Sequence, residues 1–275
     1  MAGRRGSAAV GQNLAGVSSE DLLSRLVLEA RQDLQRRRHL MGSDQLELAV
    51  AAYTPKDFIG ALRKPGLAVI AEMKQRTPSM GVLAEEYRPA DIAHAYAEGG
   101  AAAISVLTHM AGFGGRIDHV RAVRAATQLP ILRKDFVTDP FEVAEARACG
   151  ADAVLLIVGA LVATQLKDLV ALTKSRGIAA LVEVHDEAET AAALEAGALA
   201  IGVNHRDLRT FNVDLALTER LRKLVPKEVA LVAESGIHSA ADARRMREAG
   251  ADAILVGELL MRAADPAAQI RELTR

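Results

Sequence analysis

The chain repeats one short sentence four times: Glu98-Gly-Gly-Ala-Ala-Ala-Ile104, Ala148-Cys-Gly-Ala-Asp-Ala-Val154, Glu195-Ala-Gly-Ala-Leu-Ala-Ile201 and Glu248-Ala-Gly-Ala-Asp-Ala-Ile254. In each, a helical pattern ends at a glycine suited to the left-handed position after a helix, and a β-branched strand starts a few residues later. This is the joint of a helix feeding a parallel strand. Working outward from these joints, eight apolar runs read as strands: 67–74, 102–108, 130–136, 153–159, 179–185, 199–206, 229–235 and 253–257. Their charged or polar ends recur at intervals of 21 to 34 residues, enough for one strand, one helix and short loops. Eight such units closing on themselves predict a TIM (β/α)8 barrel. An open doubly wound sheet fits less well, because no G-x-G-x-x-G turn follows the first strand and no strand reads as a polar edge.

At 275 residues, half of them hydrophobic, the chain is long enough for one large α/β domain. Net charge is −1, with five Phe, three Tyr and no Trp. Such a balance disfavours a nucleic-acid surface, which needs basic excess and stacking rings. The single cysteine, Cys149, excludes an internal disulfide framework and suits the cytoplasm. Ala153 to Ala163, the most apolar stretch, is too short to span a bilayer, so no membrane role is expected.

Residues 1–16 read as a disordered leader: Arg4-Arg5 is followed by no apolar core of an export signal. Residues 17–66 are expected to form a helical extension over the barrel, and 67–275 the catalytic barrel. Leu22, Leu23, Leu26, Val27, Ala30 and Leu34 recur at helical spacing, with Ser18 or Ser19 as N-cap. Arg36-Arg37-Arg38 at that helix's end reads as a solvated face favoured by the helix dipole. Thr54-Pro55-Lys56-Asp57 reads as a turn and cap for a short helix from Phe58 to Arg63.

In a barrel the chemistry gathers where the strands end, and those ends are charged here. The first, Val69-Ile-Ala-Glu-Met-Lys74, puts Glu72 and Lys74 on one face because they are two residues apart. The third gives Lys134, the fifth Glu183, the sixth Asn204 and Arg206, and the seventh Glu234 and Ser235. Two lysines interleaved with three carboxylates shift one another's pKa and divide into acids and bases. Gly236, Gly257 and Glu258 follow the last two strands, where backbone N–H groups and a short helix hold phosphate in barrels. No metal set emerges: His185, His205 and His238 lie near the mouth, but neither His-x-His on a strand nor His-x-x-x-His on a helix occurs there. His94 and His119 read as solvent-facing helix residues, Cys149 as an inert thiol at a helix end, and Ser235 has no base at a triad offset.

These motifs in this order resemble the indole-3-glycerol phosphate synthase family: Ile70-Ala-Glu-Met-Lys74 with Thr77-Pro-Ser79, Leu132-Arg-Lys-Asp-Phe136, Leu181-Val-Glu-Val-His185, Gly202-Val-Asn204 with Arg206-Asp-Leu208, and Val232-Ala-Glu-Ser-Gly-Ile237. Ser105-Val-Leu-Thr108 with Phe113-Gly-Gly115 belongs to the same likeness, which covers Leu22 to Met261. The resemblance implies a carboxy-lyase of tryptophan biosynthesis acting on carboxyphenylamino-deoxyribulose phosphate, with no cofactor and no metal. It implies Lys134 as general acid for ring closure, Glu183 as base, and Lys74, held by Glu72, as the cation for the substrate carboxylate. Asn204, Glu234 and Ser235 would orient, Arg206 would meet the carboxylate, Phe136 and Leu155 would wall the ring, and Gly236, Gly257 and Glu258 would take the phosphate. A monomer is expected, with contact to other tryptophan-pathway enzymes conceivable. Competing readings are a phosphosugar barrel such as an aminoribulose phosphate isomerase, and a non-catalytic barrel that binds a pathway partner. The chain departs from the family's pattern at Thr77, where serine is usual, and at Met80, His205, Arg116 and the less aromatic loop His109 to Phe113. Those departures are compatible with a paralogue serving specialised indole chemistry.

Overall fold

The computed structural model describes residues 19–40, 42–78, 81–207 and 212–275. The leader expected over 1–16, Ser18 and Met80 lie outside them. Eight parallel strands close into a barrel: β1 (Ala68–Met73), β2 (Ala103–Leu107), β3 (Ile131–Lys134), β4 (Ala153–Ile157), β5 (Ala179–Val184), β6 (Ala200–Asn204), β7 (Ala230–Glu234) and β8 (Ala253–Val256). Each pairs with its neighbours in sequence, and β8 returns to β1 with Ala68 opposite Ala253. All eight lie inside the runs expected from sequence. At the C-terminal ends Glu72, Lys134, Glu183, Asn204 and Glu234 are still in the ladder and carry side chains of the mouth, and Lys74, Arg206 and Ser235 follow just beyond it.

The repeated joint acquires a packing meaning. Gly100, Gly150, Gly197 and Gly250 all have φ between 85° and 93°, the left-handed geometry a non-glycine residue adopts at a cost. The alanine three positions later (Ala103, Ala153, Ala200, Ala253) faces into the barrel, while the one directly after the glycine (Ala101, Ala151, Ala198, Ala251) packs between sheet and helices. Small inward residues leave space for Phe58 and Leu62, both fully buried among them, which come from α3 (Phe58–Leu62). Asp57 caps that helix by accepting from the Gly60 N–H at 2.8 Å, as its sequence suggests.

Two helices precede α3: α1 (Ser19–Leu40) and α2 (Ser43–Ala52). The second escapes sequence reading, since only Leu46 and Val50 are buried on it, against Ala144. Leu26, Val27, Ala30 and Leu34 of α1 are buried as their spacing predicts. The arginine run at its end is a correction. Arg37 is not a solvated charge: its guanidinium donates to Glu145 at 2.9 Å and to Glu142 at 3.3 Å on the helix Pro140–Ala148, and pairs with Asp33. Arg38 pairs with Asp139 and stands over the Phe141 ring, 5.4 Å from its centroid. These contacts dock α1 onto the barrel, joining a fully buried cluster in which Arg133 donates to Glu145 at 2.9 Å and to Asp135 at 3.1 Å. His119 is a second correction, half-buried edge-on to Tyr87 at 5.1 Å rather than turned to solvent. His94 is exposed and Cys149 is buried at a helix end, as expected. Among the described residues no helix is long and apolar enough to cross a membrane.

Candidate active site

The strand ends surround a cavity of about 240 Å³ at the C-terminal mouth. Every described residue named above as catalytic or substrate-binding lines it: Glu72, Lys74, Thr77, Lys134, Phe136, Leu155, Glu183, Asn204, Arg206, Glu234, Ser235, Gly236, Gly257 and Glu258. The charged groups fall into two pairings. Lys74 Nζ donates to Glu72 Oε1 at 2.6 Å. Lys134 Nζ stands between two carboxylates, 3.2 Å from Glu183 Oε2 and 3.2 Å from Glu234 Oε2. Asn204 Nδ2 donates to Glu183 Oε1 at 3.1 Å, and Asn204 Oδ1 accepts from the Ser235 hydroxyl at 2.8 Å and the Arg206 N–H at 3.1 Å. Thus four strands are linked by one network, in which Glu183 is fixed through both its oxygens.

Burial would push the Lys134 ammonium toward neutrality, but Glu234, Glu183 and Glu72 outweigh it and hold the ammonium charged. Glu183 is likewise opposed by burial, and Lys134, His185 and the Asn204 amide keep it below the usual carboxylate range. Glu234 goes the other way: burial, reinforced by the charges of Glu183 and Glu72, overcomes Lys134 and raises it to about 7. Its Oε1 is buried with no hydrogen-bond partner. Carboxylates sharing one lysine therefore separate into an ionised member and one poised to carry a proton.

Two glycines owe their identity to these charges. A Cβ on Gly257 would collide with Glu72 Oε1 and come within 3.0 Å of Lys74 Nζ; one on Gly202 would collide with Glu234 Oε1. Sequence reading assigned Gly257 to phosphate alone and passed over the role of Gly202. At the other side of the mouth Ser235 (φ 67°) and Gly236 (φ 75°) are consecutively left-handed, a conformation that is strained for serine. His205 supports that turn and faces away from the cavity, with Nδ1 2.9 Å from the Ser235 carbonyl and Nε2 2.7 Å from Thr218 Oγ1. The carboxylate of Glu258 pairs with Arg262 on its own helix at 3.2 Å, so what it offers an anion is its backbone.

The apolar side of the cavity holds residues that sequence reading did not place there. Leu22, Leu23 and Leu26 of α1 roof it, beside Leu107, Phe113 and Ile157. Leu22 and Leu23 continue the helical stripe but are only half-buried, and that excess apolar surface was the available signal. Behind Phe136 stands buried His109, edge-on at 5.2 Å. Thr77 lies in a two-residue strand paired antiparallel with Gly81–Val82 at the rim. Arg116, another departure, is exposed beside the helix Ile117–Ala126. Among the described residues no group of three metal-binding side chains occurs.

Comparison with known proteins agrees with this geometry. A family model described as indole-3-glycerol phosphate synthase matches residues 23–273. The chain belongs to the indole-3-glycerol phosphate synthase family. It is 57% identical over 253 residues to indole-3-glycerol phosphate synthase 2 of Streptomyces coelicolor, covering 92% of this chain and 98% of that one. It is 46% identical over 258 residues to the indole-3-glycerol phosphate synthase of Mycolicibacterium smegmatis, covering 94% and 95%. Among solved structures, 3-hexulose-6-phosphate synthase from Salmonella typhimurium superposes with a TM-score of 0.61 at 18% identity over 76% of this chain and 97% of that one. That likeness concerns the barrel only. The family's assignment accounts for the roof, because the matched region begins inside α1, at Leu23, and so takes in the helix that closes the cavity.

Proposed function

We propose that this chain closes the indole ring of 1-(2-carboxyphenylamino)-1-deoxyribulose 5-phosphate with loss of CO2 and water, in tryptophan biosynthesis. The observation that carries the reading is Lys134 held between Glu183 and Glu234, across one cavity from the Lys74–Glu72 pair. Ring closure needs a proton donor at the ketone oxygen as the aryl carbon attacks, and Lys134 is a charged donor in the mouth. The substrate carboxylate, lost as CO2, needs a cation near it until it leaves. Lys74, held by the Glu72 carboxylate, and Arg206 meet that need. Dehydration removes the amine proton and protonates the departing hydroxyl; Glu183 is ionised and accepts the first, and Lys74 assists the second.

Asn204 and Ser235 fix Glu183 through a chain of hydrogen bonds, and Glu234 holds Lys134 from the other side. Phe136, Leu155 and the leucines of α1 bound the aryl ring, and backbone N–H groups at Gly236, Gly257 and Glu258 receive the phosphate. No cofactor enters these steps. An aminoribulose phosphate isomerase wants a carboxylate with a thiol or second acid in isomerising positions, whereas here β3 ends in Lys134, β1 presents Glu72 with Lys74, and the one thiol, Cys149, is buried at a helix end and raised to about 11 by burial. The protein is taken to act as a cytoplasmic monomer, and any contact with other pathway enzymes belongs to its outer surface. Incubation with the substrate decides the matter: indole fluorescence and CO2 should rise together in equal amounts. Formation of an isomerised phosphosugar without CO2 would overturn it.

A further inference from the structure

His185 is the first residue beyond β5, two positions after Glu183, and ring closure as described above does not use it. Its backbone N–H donates to Glu189 Oε2 at 2.8 Å, and its ring Nδ1 lies 3.1 Å from the same oxygen. An ionised carboxylate accepts only, so Nδ1 carries the hydrogen of that bond. The opposite nitrogen, Nε2, is buried, has no hydrogen-bond partner and lies 3.5 Å from Glu183 Oε1. With Nε2 bare, a lone pair faces a carboxylate oxygen and neither gains anything. With one added proton, the two become an ion pair. The geometry thus contains a vacancy for a single proton beside the proposed base.

We propose that His185, backed by Glu189, is a positioning residue that takes over the proton Glu183 removes from the substrate amine; this rests on the reading of Glu183 as the base. The step is balanced within the pair: the Glu183 Oε1–H bond breaks, the His185 Nε2–H bond forms, and a neutral acid beside an imidazole becomes a carboxylate beside an imidazolium. Nδ1–H stays on Glu189 throughout. The side chains grow more accessible along the path, 3% for Glu183, 19% for His185 and 22% for Glu189, so the transfer moves the proton away from the driest group and restores the base.

The surrounding charges favour that transfer. Burial works against a cation at His185, but the Glu189 bond and the charges of Glu183, Glu189 and Glu234 raise it above the ordinary imidazole value. Lys134 and Asn204 face Glu183 from β3 and β6 and keep it ionised. Glu189 lies close against Gly159, where an added Cβ would stand 3.2 Å from its Oε1.

Two measurements on the full chain test the proposal. First, the His185 ring is titrated by NMR in the resting protein, its signal identified by its loss in His185→Asn. Glu183→Gln should lower that titration by about one unit or more, as removal of an adjacent opposite charge does. An unmoved titration overturns the proposal. Second, turnover is measured for His185→Ala with and without added imidazole. A fall of about tenfold in kcat with unchanged KM, largely restored by imidazole, is the expected result for a relay one step removed from the base. Turnover within twofold of the parent, or a loss that imidazole does not restore, overturns it. Should the parent make no indole product, the functional reading fails, and the NMR titration still decides whether Glu183 and His185 share a proton.

Discussion

Replacing Lys134 with methionine removes the proposed general acid and the only cation that touches both Glu183 and Glu234 among the described residues. Two consequences follow, and they separate. For catalysis, a positioned acid contributes about 10²-fold or more, so turnover should fall by at least that factor. For stability, two carboxylates that are 3% and 2% exposed lose the charge each approaches at 3.2 Å. Breaking a buried pair costs about 3–5 kcal/mol. Lys134 is itself 16% exposed toward the mouth, and water there reduces the cost to roughly 2–3 kcal/mol. On a chain of this size that is a fall of about 4–10 °C in melting temperature at neutral pH.

The sign of its pH dependence is fixed. Without Lys134 both glutamates titrate higher in the folded state than in the unfolded chain. Such groups stabilise the fold fully below their unfolded value and lose that contribution as pH rises through the folded one. Lys134→Met should therefore come close to parental stability near pH 4 to 5 and fall away toward pH 8. Indole fluorescence gives the turnover, and thermal unfolding at the two pH extremes gives the stability. Near-parental turnover would refute the catalytic assignment. A melting difference equal at both extremes would refute the electrostatic account, because a cavity or packing defect does not titrate.

Other expectations are simpler. On the hypothesis that the rim segment carrying Thr77 closes over substrate, β-branching stiffens it, so Thr77→Ser should raise turnover a few-fold with little change in KM, whereas Thr77→Ala should weaken both by roughly 0.5–1.5 kcal/mol; slower turnover in Thr77→Ser counts against this. Glu234, raised to about 7 from an ordinary 4.5, stabilises fully below the lower value and loses that contribution as pH passes the higher one. Glu234→Gln should thus gain stability relative to the parent between those values in denaturation experiments, and a constant difference would show that Glu234 does not hold the proton. Gly202→Ala should displace Glu234 and lower kcat with only a small change in melting temperature, and parental kcat would mean that the strand yields instead. Arg37→Met should loosen α1, seen as faster proteolysis within 19–40 and, through Leu22, Leu23 and Leu26, a raised KM; an unchanged KM would separate docking from the roof.

The barrel was legible because its signals are local. A strand buried on both faces is a continuous apolar run, and the helix-to-strand joint must place a glycine where φ is positive, so four near-copies of one heptad announce four strands. Helix α2 was not legible for the converse reason: on Ser43–Ala52 only two side chains are buried, too few to mark a period. Arg37 looked like any arginine at a helix end, since its partners Glu142 and Glu145 lie more than 100 positions away and sequence gives no sign of which distant helix will face it. His119 was misjudged similarly, through a tyrosine 32 positions before it.

The site was legible as a set of charges with one pair, Glu72 and Lys74, given by their spacing; the sharing of Lys134 between two glutamates was not legible, and it carries the chemistry. Counting the buried Glu72, Glu183 and Glu234 against Lys74 and Lys134 alone, before Arg206 at the rim is added, leaves the inner cluster one negative charge in excess, an awkward lining for a substrate bearing a carboxylate and a phosphate. The geometry resolves this within the inner cluster, and Arg206 adds a cation at the rim. Lys74 is bound by Glu72 alone, while Lys134 is divided between two glutamates, one of which, Glu234, is raised to about 7 with a buried oxygen left unpartnered. A proton on Glu234 near neutral pH balances the cluster. An arriving anion would raise Glu234 further and keep that proton in place, while Glu183, fixed at both oxygens by Lys134 and Asn204, remains the ionised base. The division of labour between two carboxylates that look alike in sequence thus follows from which of them His185 and Asn204 reach.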